Sequence, residues 1–177
     1  YAAKTVTFNV APALNAKIHL AVLGVSGTSI LDIDYIVADG TSNKFLTNVR
    51  FDTGLQYFIS EKGEGPKVTT TNKVSAHYAV YFSDGILLET SDLATAEALD
   101  RVDPSRKAAD AYQPITANVS PDAAMIEGFK EGLRLLNVGD KATLFLPYQL
   151  AYGENGNQAI PPRSDLIFEV EIIELIK

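Results

Sequence analysis

Residues 74–82 place Val74, Ala76, Tyr78, Val80 and Phe82 at every second position, and residues 166–172 set Phe168, Val170 and Ile172 against Glu169 and Glu171. A period of two sends alternate side chains to opposite faces of an extended chain, so each segment carries one face that must be covered. Strands of this kind belong to a half-buried antiparallel sheet. Asp84-Gly85 closes the first of them into a hairpin, "HYAVYFSDGILLETS", because Asp-Gly accepts the positive φ of a tight hairpin turn. "GLQYFISE", which precedes a Gly-Pro turn, and "KATLFLP", Lys141 to Pro147, read as further strands.

One segment reads as a well-formed helix, "SPDAAMIEGFKEGLRLLNVGD". Ser120-Pro121-Asp122 supplies start signals and Gly139 a stop. Ile126, Phe129, Leu133 and Leu136 recur at helical spacing and predict one buried stripe. Glu127 and Glu131, one turn apart, are paired carboxylates of the kind hydrolases use, but with Lys130 and Arg134 they read better as a solvated face. Residues 92–113 are polar and alanine-rich and read as an inserted surface excursion, with a turn or two of helix broken at Pro104. One helix among antiparallel strands makes the chain α+β.

Residues 1–50 read as a β-rich N-terminal segment of unknown role: "TVTFNV", "KIHLAVLGV" and "ILDIDYIV" are strand-like, with Gly24, Gly27 and Asp39-Gly40 as turns. Asp32 and Asp34 share a strand face there and read as a solvated edge. A weak echo between "DYIVADGTSNKFLTN" and "HYAVYFSDGILLETS" is better explained by chance than by duplication. A second unit runs from residue 54 to 177.

Composition narrows the chemistry. The net charge of -7 over 177 residues argues against nucleic acid or an anionic membrane surface as partner, since both need clustered Lys and Arg. The chain has no cysteine and two histidines, which excludes thiol chemistry and disfavours histidine-rich metal sites. No cofactor or metal is expected. No apolar run is long enough to span a bilayer. "GENGNQ" lacks the lysine and following helix that a phosphate loop requires.

What survives is a set of motifs without a nucleophile and its base: Gly54-Leu55-Gln56-Tyr57, "HYAVYFSDG", "MIEGFKEGL", "VGDKATLFLP", "LAYGENG" and "IPPRSDLIFEVEI". In this order they resemble the FKBP family of peptidyl-prolyl cis-trans isomerases, over residues 54–177, in the bacterial form with a long insert after the first hairpin. The resemblance implies a bent antiparallel sheet wrapped around one short helix, with a shallow apolar pocket between them. It carries over Tyr78, Glu89, Ile126 and Tyr152 as the residues acting on the bond, and Leu88, Ile115, Met125, Phe129, Ile160 and Phe168 as substrate-binding. The family's usual Phe-Asp pair stands here as Leu88-Glu89, which predicts reduced turnover and weak binding of macrolide immunosuppressants. Proline-containing polypeptides are the implied partners. A chaperone or proline-segment binding module with little turnover is the alternative, and edge-strand assembly through residues 1–50 a third. The long-insert form and the Tyr1 start make a bacterial periplasm or cell envelope the expected location, with the cytoplasm as the alternative.

Overall fold

The computed structural model describes residues 53–176 throughout and, before them, only the backbone of Ile36–Ala38 (β1), Thr41–Asn43 (β2) and Val49–Arg50 (β3). The expectations for residues 1–35 and for the turn at 39–40 lie outside the described residues. β1 and β2 pair antiparallel as a two-stranded ribbon.

The main sheet is built from β3, β4 (Gln56–Glu61), β5 (Lys73–Phe82), β6 (Leu87–Thr90), β7 (Ile115–Asn118), β8 (Lys141–Leu146) and β9 (Leu166–Ile176). Its order is β3-β4-β8-β9-β5-β6, with every described neighbour antiparallel. β7 also pairs with β5, through residues 73–76, whereas β6 pairs through residues 79–81. The two short strands therefore lie end to end along one edge of β5, and the 92–113 excursion leaves the sheet between them. β5 and β9 form the central pair, with Tyr78 opposite Val170 and Val80 opposite Phe168. This register carries both alternating apolar sets to one face.

That face is covered by the helix α3 (Glu127–Arg134). Val74, Ala76, Val80, Phe129, Leu133, Leu144, Phe168, Val170 and Ile172 are buried together between sheet and helix. The helix lies directly on β8 because Gly128 and Gly132, one turn apart, present no side chain there. A methyl on Gly132 would sit 2.4 Å from Leu144 Cδ1, and one on Gly128 2.7 Å from Leu146 Cγ. Close contact of this kind lets the Phe129 ring, in the first turn of the helix, reach the sheet.

Several expectations are corrected. The helix begins at Glu127, not near Ser120, and residues 121–125 form irregular turns. The carbonyls of Pro121 and Ala123 accept from the Lys130 side chain, so they do not serve a helical ladder. Lys130 is accordingly 3% exposed and does not belong to a solvated face. Leu136 is buried beyond the helix end, and the left-handed Gly139 turns the chain into β8 well after the last helical residue. Pro104 does not break a helix. It occupies the first turn of α2 (Pro104–Ala108), capped by the Asp103 carboxylate, where a missing N–H costs nothing. A separate α1 (Leu93–Ala98) precedes it, capped by Asp92. Leu99, at the end of α1, packs against Ala79, Tyr81, Leu87 and Ile167, so the second face of the sheet also holds an apolar patch.

Candidate active site

The helix, β5 and β9 each place one aromatic ring at the same point. Phe129 and Phe168 have ring centroids 5.0 Å apart, and Tyr78 stands 6.4 Å from both, edge-on to Phe129. Phe129 and Phe168 are 3% and 6% exposed. Three rings in contact at these separations form a stiff, apolar floor. Above it opens a cavity of about 730 Å³.

All ten residues singled out from the sequence line this one cavity: Tyr78, Leu88, Glu89, Ile115, Met125, Ile126, Phe129, Tyr152, Ile160 and Phe168. Val80, Ala124, Asn157 and Ala159 line it too and were not anticipated. Val80 follows from the same period of two that picks out Tyr78. Asn157 has no such signal, because its part depends on how its own loop closes.

The loop wall is set by hydrogen bonds. Asn157 Oδ1 accepts from the amides of Ala159 and Ile160, each at 2.8 Å, and the Asn157 amide donates to the Ile160 carbonyl at 2.8 Å. Gly156 takes φ +62°, and a methyl there would lie 2.1 Å from the Ile160 carbonyl oxygen. Only glycine fits. Ile160 is thereby fixed, 3% exposed, against the cavity. Tyr152, just before Gly153, stands on the rim at 39% exposure, and its hydroxyl makes no hydrogen bond to a described residue.

The opposite wall carries the charges. Burial first, and then the Glu89 carboxylate beside it, hold the pKa of the Tyr78 phenol far above the usual phenol range. Tyr78 is therefore a protonated donor at any ordinary pH. Glu89 lies 3.9 Å from Arg106 of α2, whose guanidinium also donates to the Thr90 carbonyl at 3.0 Å and sits 4.3 Å over the Tyr112 ring. The inserted segment thus supplies the cation that faces Glu89, which sequence spacing did not indicate.

At the helix end of the cavity, Ile126 precedes the first helical residue, and its amide makes no hydrogen bond to a described residue. The cavity therefore presents two unused donors, the Ile126 N–H and the Tyr152 hydroxyl, over an aromatic floor. Among the described residues no group of His, Cys, Asp or Glu is arranged to hold a metal.

An antiparallel sheet curled over the helix α3, with a ring-floored, largely apolar pocket between them, is the architecture that the resemblance to FKBP-type prolyl isomerase domains implies. Residues 65–173 match the family model for FKBP-type peptidyl-prolyl cis-trans isomerase. The chain belongs to the FKBP-type peptidyl-prolyl cis-trans isomerase family. It is 33% identical to the FKBP-type isomerase FkpA of Aeromonas hydrophila over 126 residues, 71% of this chain and 40% of the relative. It is 34% identical to the FKBP-type 22 kDa isomerase of Escherichia coli over 126 residues, 71% of this chain and 52% of the relative. The crystal structure of FkpA from Escherichia coli superposes with a TM-score of 0.57 at 28% identity, covering 72% of this chain and 51% of that one. The chain thus spans about half the length, or less, of these relatives.

Proposed function

We propose that this cavity accelerates rotation about X–Pro bonds in polypeptide substrates. Amide resonance opposes that rotation with a barrier of roughly 18–20 kcal/mol. In the twisted transition state the C–N bond loses double-bond character and the carbonyl becomes less polar. Apolar walls favour that state over the planar, more dipolar one. The proline ring would lie on Phe129 and Phe168, with Ile160 and Met125 at its sides. Tyr152 and the Ile126 amide would donate to the carbonyls flanking the bond, and so hold the chain partway through the turn. Each such bond contributes on the order of 1 kcal/mol, and a thousandfold gain requires only about 4 kcal/mol. No proton changes hands.

The observation that carries this reading is the pair of unused donors above the ring-lined floor. Leu88 opens the wall that an aromatic residue would close, so turnover is modest and macrolide immunosuppressants bind weakly. The same opening favours a second reading, retention of proline segments with little turnover. Exchange NMR on an Ala-Leu-Pro-Phe peptide separates the two. Faster cis–trans exchange with protein present supports the isomerase. Peptide resonances that broaden through binding, while prolyl exchange stays at its uncatalysed rate, support retention.

A further inference from the structure

Lys130 is the one buried lysine among the described residues, and its ammonium is fully engaged. It donates to the Pro121 carbonyl at 2.7 Å and the Ala123 carbonyl at 3.2 Å, and pairs with Glu127 at 2.9 Å. An ammonium has three N–H donors, and three acceptors meet it. Arg134, one turn further along the same helix, donates to the Val119 carbonyl at 3.2 Å and reaches Glu127 at 3.4 Å. The carbonyls of residues 119, 121 and 123 are therefore all turned toward two helix cations, which Glu127 bridges. The salt bridge and hydrogen bond from Lys130 hold the Glu127 carboxyl below its usual range.

Apart from the packing of Met125 against the core, the segment tied down in this way has few fixed contacts of its own. It forms neither helix nor strand, and its only described internal backbone bonds run from Ala123 to Ser120 and from Met125 to Ala123. Yet it delivers Ala124, Met125 and the Ile126 amide to the cavity. We propose that Lys130 is a positioning residue. It anchors the 121–125 segment to the helix, and so sets where Met125 and the Ile126 N–H stand relative to a bound prolyl bond. The ammonium is the reason this wall is preformed, since a buried cation cannot release its acceptors without a large desolvation penalty. The inference rests on the isomerase reading for its kinetic consequence, but the placement of the wall is observable without turnover.

The chain contains one methionine and no cysteine, which makes the test clean. The full chain with a ¹³C-labelled methionine methyl gives a single signal, from Met125. In a folded Lys130→Leu variant that signal is expected to shift and broaden, and the peptide KM to rise at least about fivefold at an unchanged fold. A Lys130→Cys variant alkylated to its aminoethyl thioether restores the ammonium, and is expected to return both readouts to within about twofold of wild type. A purely structural lysine would lower the denaturation midpoint but leave the Met125 signal and KM of the folded protein unchanged; that result overturns the proposal. If Lys130→Leu does not fold, Lys130→Gln, which keeps a donor for one carbonyl, is read in the same way. A Met125 signal and KM matching wild type overturn the proposal there too. A wild type that catalyses no exchange refutes the isomerase reading instead, and the Met125 signal still decides this one.

Discussion

Removing one oxygen atom isolates the contribution of the rim tyrosine. In Tyr152→Phe the ring remains as part of the wall and only the hydroxyl is lost. That hydroxyl has no hydrogen-bond partner among the described residues, and Tyr152 is 39% exposed, so stability should hold to within about 0.5 kcal/mol. The effect should appear only when a substrate carbonyl is present to accept. A neutral hydrogen bond is worth about 0.5–1.5 kcal/mol net, which corresponds to a roughly two- to twelvefold fall in kcat/KM. Exchange NMR over a range of peptide concentrations gives kcat and KM separately. A fall mainly in kcat means the bond strengthens as the amide twists, and a rise mainly in KM means it holds ground and transition states equally. A variant indistinguishable from wild type would show that Tyr152 does not meet the substrate. A loss beyond about a hundredfold would exceed what one hydrogen bond supplies and would point to proton transfer, contrary to the mechanism.

Three further outcomes follow from particular contacts. Gly156→Ala must relieve a 2.1 Å approach to the Ile160 carbonyl in a left-handed conformation, so it should cost about 2 kcal/mol or more in thermal or denaturant unfolding and raise the peptide KM. An unchanged KM would show that the loop does not position Ile160 for binding. Leu88→Phe restores an aromatic wall and should tighten macrolide binding by up to about tenfold, as an added ring contact is worth roughly 0.5–1.5 kcal/mol; calorimetry showing equal or weaker binding would refute the role given to this position. Burial and the carboxylates beside them raise the pKa values of Tyr78 and Tyr81. The unfolded chain then loses these protons near pH 10, where the native state retains them, so stability should be level below about pH 10 and fall above it. Denaturant midpoints measured to pH 11.5 test this, and Tyr81→Phe should flatten the decline. A midpoint that does not fall would contradict the assigned environments.

The sheet was readable because its signal is local. Tyr78, Val80 and Phe168 share a face through a period of two that any antiparallel partner must respect. The pocket residues were readable by resemblance to ordered motifs, and the three rings meet because the β5–β9 register sets Val80 opposite Phe168 and Tyr78 beside it. What was not legible depends on contacts between distant parts. Lys130 has the helical spacing of a solvated residue, and only the folded 121–125 turns supply the carbonyls that draw it inward. Gly128 and Gly132 look like weak points in a helix until Leu144 and Leu146 occupy the space above them. Arg106 belongs to a polar excursion, and nothing in its neighbourhood says that it returns to face Glu89. Pro104 carried the wrong meaning for a simpler reason, since proline opens a helix as readily as it ends one.

The central claim is that a prolyl bond turns in this cavity because of apolar walls and fixed donors, without a proton in flight. The most direct test measures cis–trans exchange of a prolyl peptide with a small molar fraction of the protein, in H₂O and in D₂O. The account predicts clear acceleration with a ratio of rates near unity. No acceleration, or an acceleration that falls about twofold or more in D₂O, would contradict it.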